Sequence, residues 1–169
     1  PSDNLDQIRS FVRIGRHLNQ KGIQVPRILS WDEFSGMVAL EDLGDHHLAD
    51  RVKGLDRPGL IRLYKRVINS IIEFSKKGIQ GFDPAWTCQT PTYSRELILE
   101  KECRYFTEAF LGIFLGKKTR FSDLEQAFGH IADMALKHPV TGLMHRDMQS
   151  RNIMVRDERI FFIDFQSAR

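Results

Sequence analysis

Cysteine is scarce in this 169-residue chain, which holds only Cys88 and Cys103. They have neither the spacing of a metal site nor the numbers of a disulfide framework, so reduced thiols are expected. No apolar run approaches the roughly 20 residues of a membrane span, and no stretch has the pattern of a signal peptide. The expectation is therefore a cytoplasmic protein with no membrane partner. Charge of one sign is also lacking: 25 Lys and Arg against 22 Asp and Glu leave +3, dispersed along the chain. Such a surface gives nucleic acid no basic patch to bind. Gly-x-Gly does not occur, and Gly116-Lys-Lys-Thr119 lacks the glycine spacing of a P-loop. Internal repeats and low-complexity segments are missing too.

What is present is a globular balance, 41% hydrophobic and 28% charged, enough for one ordinary core. Ser2, Asp3 and Asn4 offer caps to a helix running to about Gln20, with Leu5, Ile8, Val12 and Leu18 among its apolar positions. Gly22 is its stop, and Pro26 forbids continuation. Arg27–Trp31 and Met37–Glu41 read as a hairpin. A short helix is expected from His46 to Lys53. His46 and His47 are adjacent and cannot share a helix face, so they are read as solvated linker residues rather than metal ligands. Asp56 caps a helix to about Lys77 whose Leu60, Leu63, Tyr64, Val67, Ile68, Ile71, Ile72 and Phe74 form a wide apolar stripe. Residues 79–92 are irregular, and a packed connector is preferred there over a substrate-side loop. A long helix is expected from Thr92 to Leu115. Another, capped by Ser122 or Asp123, should run to about Lys137 and end at His138-Pro139. Helix, hairpin, several helices and a final hairpin make an α+β fold.

That final hairpin organises the chain. Ile153–Val155 and Ile160–Ile163 are short apolar runs around the polar break Arg156-Asp157-Glu158-Arg159. A turn near Asp157–Glu158 sets Ile153 roughly opposite Ile163, so Asn152 and Asp164 emerge together at the open end. Asp147, on the loop feeding the first strand, can return to the same end. A carboxylate and an amide oxygen are hard ligands suited to Mg²⁺, and a second carboxylate can accept the proton of an attacking hydroxyl. His145-Arg146-Asp147, four residues, Asn152, then a strand ending in Asp164-Phe165 is the catalytic-loop and metal-loop order of a kinase.

Arg151-Asn152-Ile-Met and Ile163-Asp-Phe-Gln-Ser-Ala also carry a narrower resemblance, to the aminoglycoside phosphotransferase/choline kinase-like family. Within it they are similar to bacterial sugar kinases acting on the anomeric hydroxyl of N-acetylmuramate and N-acetylglucosamine. Gln166 stands where a protein kinase has the Gly of Asp-Phe-Gly, and Gln149 where it usually has Lys, so a protein substrate is disfavoured. The resemblance implies a protein-kinase-like fold. Residues 1–44 would be a partial small lobe and hinge, a helix plus a β-hairpin. Residues 45–169 would be a partial, mainly helical large lobe carrying the catalytic hairpin. The hinge would offer adenine the backbone of Glu41 and Leu43.

The implied activity is ATP-dependent phosphorylation of a small-molecule hydroxyl, most simply on an amino sugar. Asp147 is the base, Asn152 and Asp164 hold Mg²⁺, His145 braces the loop, and Arg151 helps stabilise phosphate charge. Arg146 is either a structural partner or a charge neighbour. Glu100 or Glu108 would lie near the acceptor, against the plainer reading of a solvated helix face. The resemblance further implies a glycine-rich strand pair, a phosphate-binding Lys and later helices, none of which the sequence contains. Only Asp3 and Asp6 could supply the acid that holds such a Lys. Both ends are thus expected to be cut and the chain alone to transfer phosphate poorly. The rivals are an aminoglycoside or choline-like alcohol kinase, a nucleotide-binding pseudokinase module and, more weakly, a metal phosphohydrolase. Oligomeric state is not legible.

Overall fold

The computed structural model describes residues 2–138 and 141–169, with side chains in the first helix from Leu5 onward. The caps expected at Ser2, Asp3 and Asn4, the Asp3 acid and the stop at Pro139 lie outside what is described. By contacts the chain forms two compact units. One holds the chain up to Pro91 together with Thr141–Arg169, and the other runs from Thr92 through the helix that precedes position 140.

In the first unit, helix α1 spans Ser2–Gln20. It ends as its glycine dictates: Gly22 takes φ +73°, and the Ile23 amide reaches back to the Leu18 carbonyl at 3.0 Å. Strands β1 (Ile28–Asp32) and β2 (Met37–Leu40) pair antiparallel. Their turn is tied by the Asp32 carboxylate, which accepts from the Phe34 amide at 3.0 Å and the Ser35 hydroxyl at 2.7 Å. Helix α2 is one short turn, Leu48–Arg51. Helix α3 spans Arg57–Gly78 and is capped by Asp56, whose Oδ1 accepts from the Gly59 amide at 2.8 Å. The His17 Nε2 donates to the Gly78 carbonyl at 2.7 Å and so joins the C-terminal ends of α1 and α3. The connector that follows is packed, with Phe82 and Trp86 against the core.

Strands β3 (Ile153–Arg156) and β4 (Arg159–Phe162) close through a two-residue turn, Asp157 at φ +47° and Glu158 at φ +66°. Two positive φ values in succession match a hairpin turn to the strand twist. The turn also corrects the expected register. Arg156 pairs with Arg159, so Ile153 faces Phe162, and Asn152 rather than Ile153 faces Ile163. Both faces of this hairpin are buried. Ile153, Val155, Ile160 and Phe162 enter the main core with Ile14, Leu18, Leu63, Val67 and Phe74, while Met154 and Phe161 meet Leu43 on the other side. Two buried faces account for the unbroken apolar runs in the sequence.

The wide stripe expected on α3 is narrower in the structure. Leu63, Val67 and Phe74 are buried, whereas Tyr64, Ile68 and Ile72 are exposed. Only one packed face is needed to hold a helix against a single core.

In the second unit, α4 (Arg95–Leu97) opens a helical run, with the Ser94 hydroxyl accepting from the Leu97 amide at 3.2 Å. The run continues through Ile98–Cys103 and Phe106–Phe114, both wound as π-helix. The expected Thr92–Leu115 helix therefore starts later and winds more widely. Helix α5 spans Phe121–Leu136. Its N-cap is Arg120, not Ser122 or Asp123: Asp123 acts from inside the first turn, accepting from the Arg120 amide at 3.0 Å. Ile98, Cys103, Phe128 and Ala132 form this unit's core. Among the described residues, no helix is long and apolar enough to cross a membrane.

Candidate functional site

The loop entering β3 is fixed by backbone bonds before any side chain acts. The Leu143 amide donates to the Ser75 carbonyl of α3 at 3.0 Å, and Met144 and Arg169 exchange both their amides and carbonyls at 2.7 and 3.0 Å. Further along, the Asn152 amide donates to the Gln149 carbonyl at 2.9 Å, and the Ile163 amide to the Asn152 carbonyl at 3.0 Å. Arg146 at φ +78° and Asp164 at φ +63° are both non-glycine residues in the left-handed region. Such backbone costs free energy and persists only where the surroundings hold it.

Asp147, Asn152 and Asp164 do converge. The Asn152 Nδ2 lies 3.0 Å from the Asp147 carbonyl, 3.0 Å from Asp147 Oδ2 and 3.3 Å from Asp164 Oδ2. These acceptors fix the orientation of the amide, since its NH₂ must face them. The Asn152 Oδ1 and Asp147 Oδ1 take part in no hydrogen bond among the described residues. Asn152 is buried, whereas Asp147 and Asp164 are exposed.

Two glutamines complete the cluster, and sequence reasoning gave them no role in it. Gln149 Nε2 donates to Asp147 Oδ2 at 3.1 Å, and Gln166 Nε2 donates to Asp164 Oδ1 at 2.9 Å. A signal was available: Asp147-Met-Gln149 and Asp164-Phe-Gln166 repeat the same Asp-x-Gln spacing. At that spacing a side-chain amide can fold back onto the carboxylate two residues earlier.

His145 lies beneath the cluster, 2% exposed, and its Nε2 donates to the Ile163 carbonyl at 3.0 Å. Its Nδ1 is buried without a hydrogen-bond partner among the described residues. Burial pushes the imidazole below its ordinary range, against the raising pull of the Ile163 carbonyl and the Asp147 and Asp164 carboxylates. The folded protein therefore resists a proton that the unfolded chain accepts near the ordinary histidine value. Stability is full above that value and is lost as pH falls toward the depressed one. We expect the melting temperature to drop between about pH 7 and pH 5, with a flatter slope in His145→Asn. Equal slopes in the two proteins would rule this histidine out as the source.

The other predicted residues fall nearby. Arg151 is exposed, and its carbonyl accepts from His47 Nδ1 at 2.6 Å. The Val155 amide donates to the His46 carbonyl at 2.8 Å, and His47 bridges Met154. The backbone of the 46–47 segment is thus an edge of the β3–β4 hairpin; the His46 side chain is exposed, as expected of a solvated linker residue, whereas His47 is half-buried. Glu41 is clamped: Oε1 accepts from Arg156 Nη2 at 2.8 Å and Oε2 from Arg27 Nε at 3.1 Å. Its pKa lies below the ordinary carboxylate range, chiefly through Arg156. Among the described residues, no hydrogen bond engages the Glu41 carbonyl or the Leu43 amide. The Leu43 side chain packs on Met154, Phe161 and Ile163. Asp6 pairs with Arg9 at 3.4 Å. Glu100 pairs with Arg104 at 2.7 Å, within its own helical run.

Comparison with known proteins follows the same lines. The sequence model of the phosphotransferase enzyme family matches residues 1–169. An N-acetylmuramate/N-acetylglucosamine kinase of Pseudomonas aeruginosa is 29% identical over 168 residues, 96% of this chain and 46% of the relative. One of Pseudomonas putida is 27% identical over 168 residues, 96% of this chain and 45% of the relative. One of Neisseria meningitidis serogroup B is 28% identical over 150 residues, 86% and 42% respectively. The chain spans less than half the length of these curated relatives.

Proposed function

The chain belongs to the phosphotransferase enzyme family, and on that premise we propose that it carries the base and metal half of an ATP-dependent small-molecule kinase site. The acceptor is a hydroxyl of an amino sugar. The observation that carries the reading is the Asn152 amide within 3.3 Å of both the Asp147 and Asp164 carboxylates. Residues 1–44 serve as part of the small lobe and hinge, and residues 45–169 as part of the large lobe.

The donor set suits Mg²⁺. Asp164 and the Asn152 Oδ1 offer hard oxygens, and the described residues gather no group of three acidic, histidine or cysteine side chains that would enclose an ion. Mg²⁺ takes few protein ligands, keeps waters and shares substrate phosphates. A bound Mg²⁺-nucleotide supplies the phosphoryl group and spreads its developing charge. The chain's own residues then position and protect. Asn152, with Nδ2 on the Asp147 carbonyl, holds the base loop against the metal side. Asp147 Oδ2 is occupied by Asn152 and Gln149, which leaves Oδ1 to orient the acceptor hydroxyl and take its proton. Neutral His145 fixes Ile163, the residue before Asp164, from below. Arg151 lends positive charge at the rim. The Glu41 carbonyl and Leu43 amide supply an acceptor and a donor for an adenine edge. Catalysis of this kind is positioning and electrostatics more than covalent chemistry.

The test is an ATP-consumption screen of the full-length protein, with and without Mg²⁺, against amino sugars, aminoglycosides and choline-like alcohols. Mg²⁺-dependent turnover with an amino sugar is expected. Turnover with only one of the other classes would move the acceptor. Saturable nucleotide binding with no turnover on any acceptor would replace catalysis with a nucleotide-binding role.

A further inference from the structure

At the opposite end of the β3–β4 hairpin from Asn152 and Asp164 lies a separate hollow of about 210 Å³, lined by Arg51, Arg62, Arg66 and Glu158 over an apolar floor of Leu63 and Val155. Four strand residues at about 3.4 Å each place it about 14 Å along the hairpin from the carboxylate cluster. Three guanidinium groups on one small cavity are an unusual concentration of charge in a chain whose net charge is +3.

The hollow's charges are poorly matched. Arg66 forms an ion pair with Glu158, yet its Nε is buried with no hydrogen-bond partner among the described residues. Arg51 and Arg62 are exposed and form no ion pair among the described residues. The neighbouring acids are already committed. Asp50 pairs with Lys53 at 2.6 Å, and the Asp56 carboxylate caps α3 through the Gly59 amide. Glu158 alone faces three arginines, from a turn residue held at φ +66°.

We propose that Arg51, Arg62 and Arg66 bind a phosphate group, free or as a small phosphate ester, with the anion displacing Glu158 from Arg66. Guanidinium forks match tetrahedral oxyanions through paired, charge-assisted hydrogen bonds. A dianion fits the charge that Glu158 leaves unmatched, and the polar lining with a narrow apolar floor leaves little room for a larger apolar ligand. Glu158 stands in the hairpin turn, so its release removes the ion pair that ties this turn to Arg66 of α3. The site is independent of the phosphotransfer reading, because none of its residues belongs to the carboxylate cluster.

The experiment titrates the purified protein with inorganic phosphate and, separately, with glycerol phosphate, by calorimetry at constant ionic strength set with chloride. Saturable binding at millimolar or lower concentration is expected. Arg51→Ala combined with Arg62→Ala should weaken it about tenfold or more, and Glu158→Gln should tighten it. Both arginines are exposed, so the double variant should keep the wild-type melting temperature in chloride. Asp164→Asn should leave the affinity unchanged, which separates this hollow from the carboxylate cluster. Tighter binding of the ester than of phosphate identifies an esterified ligand; equal affinity identifies the bare phosphate group. No saturable binding, or an affinity unchanged in the double arginine variant, overturns the proposal.

Discussion

Replacing Asp164 with asparagine in the full-length enzyme is expected to lower kcat about 10³-fold, the scale of removing one preorganised electrostatic contact to a transferring group. Asparagine is the informative replacement. Asp164 sits at φ +63°, a conformation that asparagine tolerates and alanine does not, so Asp164→Ala mixes a backbone penalty with the loss of the ligand. The carboxylate is exposed and joined to the protein only by the amides of Asn152 and Gln166 among the described residues. The melting temperature should therefore change little. The loss should appear in kcat and in the Mg²⁺ dependence of nucleotide binding together. Turnover within a few-fold of wild type would remove Asp164 from the metal role.

One residue further on, the expected effect is on the fold. Phe165 is fully buried and stacks on Phe11 with ring centroids 4.7 Å apart and planes 15° from parallel. A methyl group on Gly15 of α1 would come within 3.1 Å of its ring, so the helix has been brought as close as a glycine allows. Phe165→Ala should cost about 3–5 kcal/mol, combining lost transfer free energy with an unfilled cavity. That is a large share of the roughly 5–15 kcal/mol of a typical domain. Urea unfolding measures it, with Phe165→Leu as the milder companion that retains the fold. A cost below about 1 kcal/mol for the alanine variant would mean the neighbouring helix collapses into the space. Because Phe165 is bonded to Asp164, it also anchors the strained backbone from which that carboxylate projects.

Legibility in the sequence followed the range of the interactions. Asp56 as the cap of α3, Gly22 as the stop of α1 and the convergence of Asp147, Asn152 and Asp164 all depend on residues fewer than twenty positions from each other. Local patterns encode these. The hairpin register was off by one because a two-residue turn closes on Arg156 and Arg159, a choice the alternation of side chains alone does not make. The reading of His46 as solvated holds for its exposed side chain, but the bonds of the His46 carbonyl to Val155 and of the His47 ring to Arg151 are hidden because those partners lie more than a hundred positions away. The same distance hid the clamp of Arg156 on Glu41. The exposed part of the α3 stripe reads as core because Tyr64, Ile68 and Ile72 have the right hydrophobicity and the wrong neighbours. Propensity offered no reason for the π winding after Leu97.

The two kinds of carboxylate in the first unit are treated differently. Glu41 is held between two guanidinium groups, so its negative charge is cancelled where it stands. Asp147 and Asp164 are held by the amides of Asn152, Gln149 and Gln166, and neither forms an ion pair among the described residues. Amide dipoles orient a carboxylate without neutralising it. A single amide with two protons also faces three acceptors at Asn152, so the arrangement is short of donors as well as of positive charge. Two like charges drawn to one nitrogen repel each other. The protein therefore balances its structural acid internally and leaves this pair in deficit, the imbalance that the proposed Mg²⁺ would meet.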